Sequence, residues 1–213
     1  MRAIITSVGP LSAGSATSVA ANQVVTGATA MTLTSTTVTL TPARRVLITS
    51  VGNDSGITFT IVGTTYGGTS VTDVVTGTNG SSAYSAVDFL TVSSITTSGS
   101  TSASGASAGT NAIAGSTWAR MDDWAPGPWS VQVNVSGTIN YTIQTTLDDP
   151  NDPTNPVAIN NVTWFSATDA NLVGASASKA GSFTGAARYI RVLQNSGTGT
   201  ATATILQSSN GPI

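Results

Sequence analysis

Over residues 44–63 the chain reads RRVLITSVGNDSGITFTIVG, and this pattern limits the fold more than any other stretch. Val46, Leu47 and Ile48 form an apolar run, and Gly52, Asn53, Asp54, Ser55 and Gly56 supply a turn signal. After the turn, Ile57, Phe59 and Ile61 alternate with Thr58, Thr60 and Val62. A period of two sends successive side chains to opposite faces of a strand, and β-branched residues fit that pleated surface. The stretch therefore predicts two strands joined as a hairpin. The same grammar returns over residues 188–207, RYIRVLQNSGTGTATATILQ, which suggests one β design used twice, with Arg45 and Arg188 in equivalent places.

Turn signals elsewhere arrive every 8 to 12 residues, and no window holds a helical period. Residues 1–30 contain a short strand candidate at Ala3, Ile4 and Ile5, followed by an aperiodic Ala/Ser/Gly/Thr stretch, so they form either an N-terminal arm or an edge strand. From Met31 the alternation sharpens until Pro42 interrupts it. Residues 98–117, SGSTSASGASAGTNAIAGST, have a linker's composition or hold one weak strand. Val131, Val133 and Val135, then a Ser136-Gly137 turn, then Ile139, Tyr141 and Ile143 give the cleanest hairpin pattern. The expected architecture is all-β: a flexible N-terminal arm (1–30), a first β-sandwich (31–113), a linker (114–119) and a second β-sandwich (120–213), Ig-like or jelly-roll-like.

The residue types present exclude much chemistry. The 213 residues contain no Cys, His or Glu, and Lys179 is the only lysine. Disulfides, zinc-thiolate sites and thiol nucleophiles are ruled out. General-base work falls most often to His or Glu, so no catalytic residue and no cofactor are expected. Charged residues make up 8% of the chain, against about a quarter in an ordinary soluble domain, while 37 Thr and 28 Ser supply hydroxyls instead. A net charge of −2 without a Lys/Arg cluster argues against a nucleic-acid partner. The apolar segment in MRAIITSVGP is shorter than a signal-peptide core, and no run approaches a membrane span, so no membrane partner and synthesis in the cytoplasm are expected.

Four groups of residues are candidate sites. Asp54-Ser55-Gly56 matches the Asp-Ser/Thr-Gly signature of aspartic proteases, but its setting is that of a turn, where Asp and Asn are favoured for local hydrogen bonding. Asp148, Asp149 and Asp152 lie close enough in sequence to suggest a calcium loop. Their spacing departs from that loop, however, and Pro150, Pro153 and Pro156 favour a solvated turn without metal. Trp118, Trp124 and Trp129 fall within twelve residues and form either a partner-binding platform or packing. Ile4 and Ile5 are the arm's candidates for strand addition to a partner.

RRVLITSVGNDSGITFTIVGT, TDVVTGTNG and FLTVSSI in the first half, with VQVNVSGTINYTIQTTLDDP and ARYIRVLQNSGTGTATATILQ in the second, resemble the small all-β structural proteins of tailed-bacteriophage particles. The resemblance spans most of residues 40–213. It implies a virion protein without catalytic residues, most simply a head decoration or cement protein that contacts the major capsid protein or other virion proteins and forms a homo-oligomer on the particle. A neck or tail component is the alternative within that class, and a carbohydrate-binding module the alternative outside it.

Overall fold

A computed structural model describes residues 3–122 and 128–207. Fifteen strands account for most of it. In chain order they are β1 (Ile4–Val8), β2 (Ser15–Gln23), β3 (Val38–Ser50), β4 (Thr58–Thr64), β5 (Ser70–Thr76), β6 (Ser82–Thr97), β7 (Ala106–Thr110), β8 (Ala114–Gly115), β9 (Ala119–Arg120), β10 (Trp129–Ser136), β11 (Ile139–Thr146), β12 (Phe165–Ser166), β13 (Lys179–Phe183), β14 (Tyr189–Gly197) and β15 (Thr200–Gln207). Two short 3-10 turns, Ile159–Asn161 and Ala170–Leu172, are the only helical segments among the described residues. No helix there is long and apolar enough to cross a membrane.

The chain divides into two compact units that are not consecutive in sequence. One is Ala13–Ala112; the other combines Met1–Ser12 with Ile113–Ile213. The first is thus inserted, in chain order, between β1 and β8 of the second, and the two are called here the inserted and host units.

The inserted unit is one six-stranded antiparallel sheet in the order β2-β7-β3-β6-β4-β5. Alternation sets its inner face: Phe59 and Ile61 of β4, Val71 and Val75 of β5, and Phe89, Val92 and Ile95 of β6 are buried. The stretch expected to form a hairpin does not do so. β3 and β4 each pair with β6, which lies between them. Nor does Pro42 end its strand; β3 runs through it from Val38 to Ser50, and Pro42 lies where the register shifts between Thr39 and Arg44. A bulge tolerates proline because it requires no ladder donor there. The Gly/Ser/Ala stretch read as linker or weak strand supplies β7, fully buried between β2 and β3. Its small residues have a steric cause: a Cβ at Gly109 would collide with the Ser15 carbonyl and the Ala16 backbone.

The host unit has a four-stranded sheet, β1-β15-β10-β13, and a five-stranded sheet, β12-β11-β14-β8, with β9 also paired to β14. Both sheets feed one core: Val8 of β1, Val131 and Val133 of β10, and Ala203 and Ile205 of β15 join Tyr141 and Ile143 of β11 and Ile190 and Val192 of β14. The two hairpins expected here are arches. β10 and β11 lie in different sheets, as do β14 and β15, and the partners are β10 with β15 and β11 with β14. The two arches meet at their tips, where Thr138 O accepts from Thr198 N at 3.0 Å and from Gly199 N at 2.8 Å. Gly137 and Gly197 turn there at φ +76° and +95°, which side chains rarely adopt.

Of the two readings of residues 1–30, arm or edge strand, the structure has the second: β1 pairs with β15 along Ile4–Val8 and β2 pairs with β7, each at a sheet edge. The supposed linker 114–119 contains β8 and the start of β9, both on β14. The duplication idea fails as well. Arg45 is inside β3, opposite Asp88 of β6, whereas Arg188 precedes β14 and binds Asp149.

Candidate functional site

The densest group of chemically capable side chains lies on the five-stranded sheet of the host unit, on the face turned away from the core. Ile190 and Val192 point into the core, so alternation sends Tyr189 and Arg191 of β14 to the other face. The register sets Gln144 of β11 opposite Arg191 and Thr146 opposite Tyr189. Arg191 Nε donates to Gln144 Oε1 at 2.9 Å, and its guanidinium lies over the Trp164 ring, 4.2 Å from the centroid. Trp118 meets Trp164 edge-on at 4.9 Å between centroids and Tyr189 at 5.8 Å. Such T-shaped pairs and a cation over a ring face are each attractive by about 0.5–1.5 kcal/mol.

The proline-rich loop after β11 covers this face and is tied down by its carboxylates. Asp148 Oδ2 accepts from Thr163 N at 2.7 Å, which fixes the two ends of the loop together. Asp149, 5% exposed, accepts from Asn151 N at 2.8 Å, from the Tyr189 hydroxyl at 2.9 Å and from Arg188 Nη1 at 2.9 Å, with Arg120 Nη2 at 3.8 Å. Burial pushes the Asp149 carboxyl upward, but the Asn151 amide, the Tyr189 hydroxyl and the two arginines outweigh it and hold the group below its ordinary value. Burial is also the main cause that raises the Tyr189 phenol. Asp152 bonds the amides of Thr154 and Asn155, so the three loop carboxylates serve three separate backbone sites rather than one cation. No group of three or more metal-ligating side chains occurs among the described residues.

The tryptophan trio does not assemble as such. Trp129 is 1% exposed in the host core, Trp118 belongs to the cluster just described, and Trp124 lies outside the described residues. Ile4 is half-buried against the host core, and Ile5 is exposed on β1, whose backbone already pairs with β15. Asp54 is 2% exposed, with Oδ1 accepting from Ser102 N at 2.6 Å. A dyad shared between two copies needs an accessible carboxylate, and Asp54 is buried.

Sequence reasoning missed Trp164, Tyr189 and Arg191, which are far from Trp118 in the chain. The available signal was Arg191 itself: a lone charge within the apolar strand YIRVL marks a non-core face that needs a partner. Also missed were Leu147 and Phe165, 71% and 65% exposed, at the edge of this sheet formed by β12 beside β11. Large exposed apolar side chains on a braced edge suit contact with another macromolecule. No protein-family model, curated protein or solved structure matches the chain.

Proposed function

We propose that this chain is a non-catalytic structural component of a tailed-phage particle, most simply a decoration or cement protein binding across capsid subunits, built as two all-β units. The observation that carries this reading is where its few carboxylates point. Asp54 bonds Ser102 N; Asp73 bonds the amides of Val74 and Ala86; Asp148 bonds Thr163 N; Asp169 bonds the amides of Asn171 and Ser182. Side chains that could serve acid–base chemistry act instead as struts between loops and strand edges. The resemblance of the strand-and-turn phrases to virion proteins supplies the class, and the scarcity of exposed charge suits contacts that desolvate few ions.

In this reading the host unit meets its partner through the edge that carries Leu147 and Phe165, held in place by the Asp149 cluster. A glycan platform is less well supported, because one face of Trp164 is stacked on Arg191 and Trp129 is in the core. The test is quantification of this chain against the major capsid protein in purified particles from the genome that encodes it. A copy number comparable to that of the capsid protein is expected. A single ring's worth moves the assignment to neck or tail, and absence from particles overturns it.

A further inference from the structure

We propose that the buried Asp54 carboxyl and the Ser102 hydroxyl together hold one internal water molecule, which completes a junction between three loops of the inserted unit. The loops are the connections from β3 to β4, from β5 to β6 and from β6 to β7. Asp54 touches all three, being part of the first: its backbone N donates to Thr78 O at 2.8 Å, and its Oδ1 accepts from Ser102 N at 2.6 Å. Backbone bonds lace the same loops together, Gly80 N to Gly52 O at 2.9 Å and Val51 N to Gly105 O at 3.2 Å.

Two polar atoms at this junction are left over. Asp54 is 2% exposed, yet its Oδ2 takes no hydrogen bond from the described residues, and the same holds for the buried Ser102 Oγ. The bond from Ser102 N to Oδ1 puts both atoms at one place in the fold. Buried polar atoms in folded proteins are nearly all satisfied, by protein or by ordered water, since a lone one carries its full desolvation cost.

The donors and acceptors at the junction select water over a metal ion. A hard cation takes six to eight oxygens. Here the carbonyls of Gly52, Asp54, Thr78 and Ser102 already accept from Gly80 N, Ile57 N, Asp54 N and Gly105 N, and no group of three or more metal-ligating side chains occurs among the described residues. A water molecule donates and accepts at once, which is what a carboxyl oxygen and a hydroxyl need from a single bridge. Gly52 fits the same arrangement. A Cβ there would be 2.5 Å from Ser102 Oγ, so the residue that lies against the hydroxyl carries no side chain.

A crystal structure of the unaltered full chain, at a resolution that shows ordered water, tests the site directly. The expected result is a single peak about 2.6–3.2 Å from both Asp54 Oδ2 and Ser102 Oγ. A clean map without that peak, a direct bond between the two side chains, or a peak ringed by six or more oxygens at the shorter distances of a metal ion overturns the proposal. Amide hydrogen exchange tests the bridge in solution. Ser102→Ala removes one end of it, and the amides of residues 54 and 102 should then exchange about tenfold faster. Ser104→Ala, in the same loop but exposed, should leave them unchanged. Unaltered exchange in Ser102→Ala, or equal acceleration in Ser104→Ala, overturns the bridge as well. Because no particle takes part, these outcomes are independent of whether the chain is found in virions.

Discussion

In the inserted unit, Asp54 and Asp73 turn inward to bind backbone amides, and Arg45 and Asp88 are half-buried. In the host unit, Arg120, Asp122 and Lys179 are exposed, and Asp149 gathers Arg188, Tyr189 and Asn151 on a sheet face away from the core. The same sparse set of charges thus serves two ends. Where a carboxylate binds only amides it closes a strand edge or a loop and leaves the surface neutral; where it gathers cations and aromatics it anchors a long loop. The first use leaves little charge at the surface, while the second presents Leu147 and Phe165 to solvent beside a braced loop.

All four tryptophans belong to the host unit, so tryptophan fluorescence follows it alone while far-ultraviolet circular dichroism follows both units. Deleting residues 1–12 should have the largest effect. It removes β1 with the buried Val8 and Leu11, each contributing about 1.5–3 kcal/mol. The tryptophan-monitored stability should then fall by about 3–6 kcal/mol or the transition vanish, while the strand signal of the inserted unit persists. Simultaneous loss of both signals would erase the distinction between the units. Next, Asp149→Ala should lower the tryptophan-monitored stability by about 2–4 kcal/mol, because Tyr189, Asn151 and Arg188 lose their common acceptor.

The smallest effect sharpens the comparison through pH. A carboxyl held below its ordinary value when folded stabilises the native state above its unfolded pKa. That contribution is lost as pH falls through the lower folded value. With an ordinary value of 3.8 and a lowered one in Asp149, the host-unit Tm should decline below about pH 4, and Asp149→Asn should flatten that decline. An acid limb unchanged in Asp149→Asn would show that other groups govern it.

The strands were legible in sequence and their partners were not. Val131, Val133 and Val135 against Ile139, Tyr141 and Ile143 show the same period whether the two strands pair in one sheet or face each other across a core. A short glycine turn serves both outcomes. What decides is the competing partner, β15 for β10 and β14 for β11, more than forty residues away. Composition misled at β7, where small residues meet a close backbone approach rather than flexibility. The aromatic cluster was hidden for a related reason: adjacency in sequence drew attention to Trp118, Trp124 and Trp129, while the loop fixed by Asp148 and Asp149 carries Trp164 to Trp118.

The paired ends of the insertion also bear on the order of assembly. Ser15 is opposite Thr110, so the inserted unit, once folded, holds its two ends together. Val8 and its partner Ala201 are 193 residues apart in the chain, and a folded insertion cuts the flexible length between them by about half. Each halving eases loop closure by about 0.6 kcal/mol. During synthesis β1 is made first and waits for β15, and the unit that folds in between brings the waiting strand nearer to its mate.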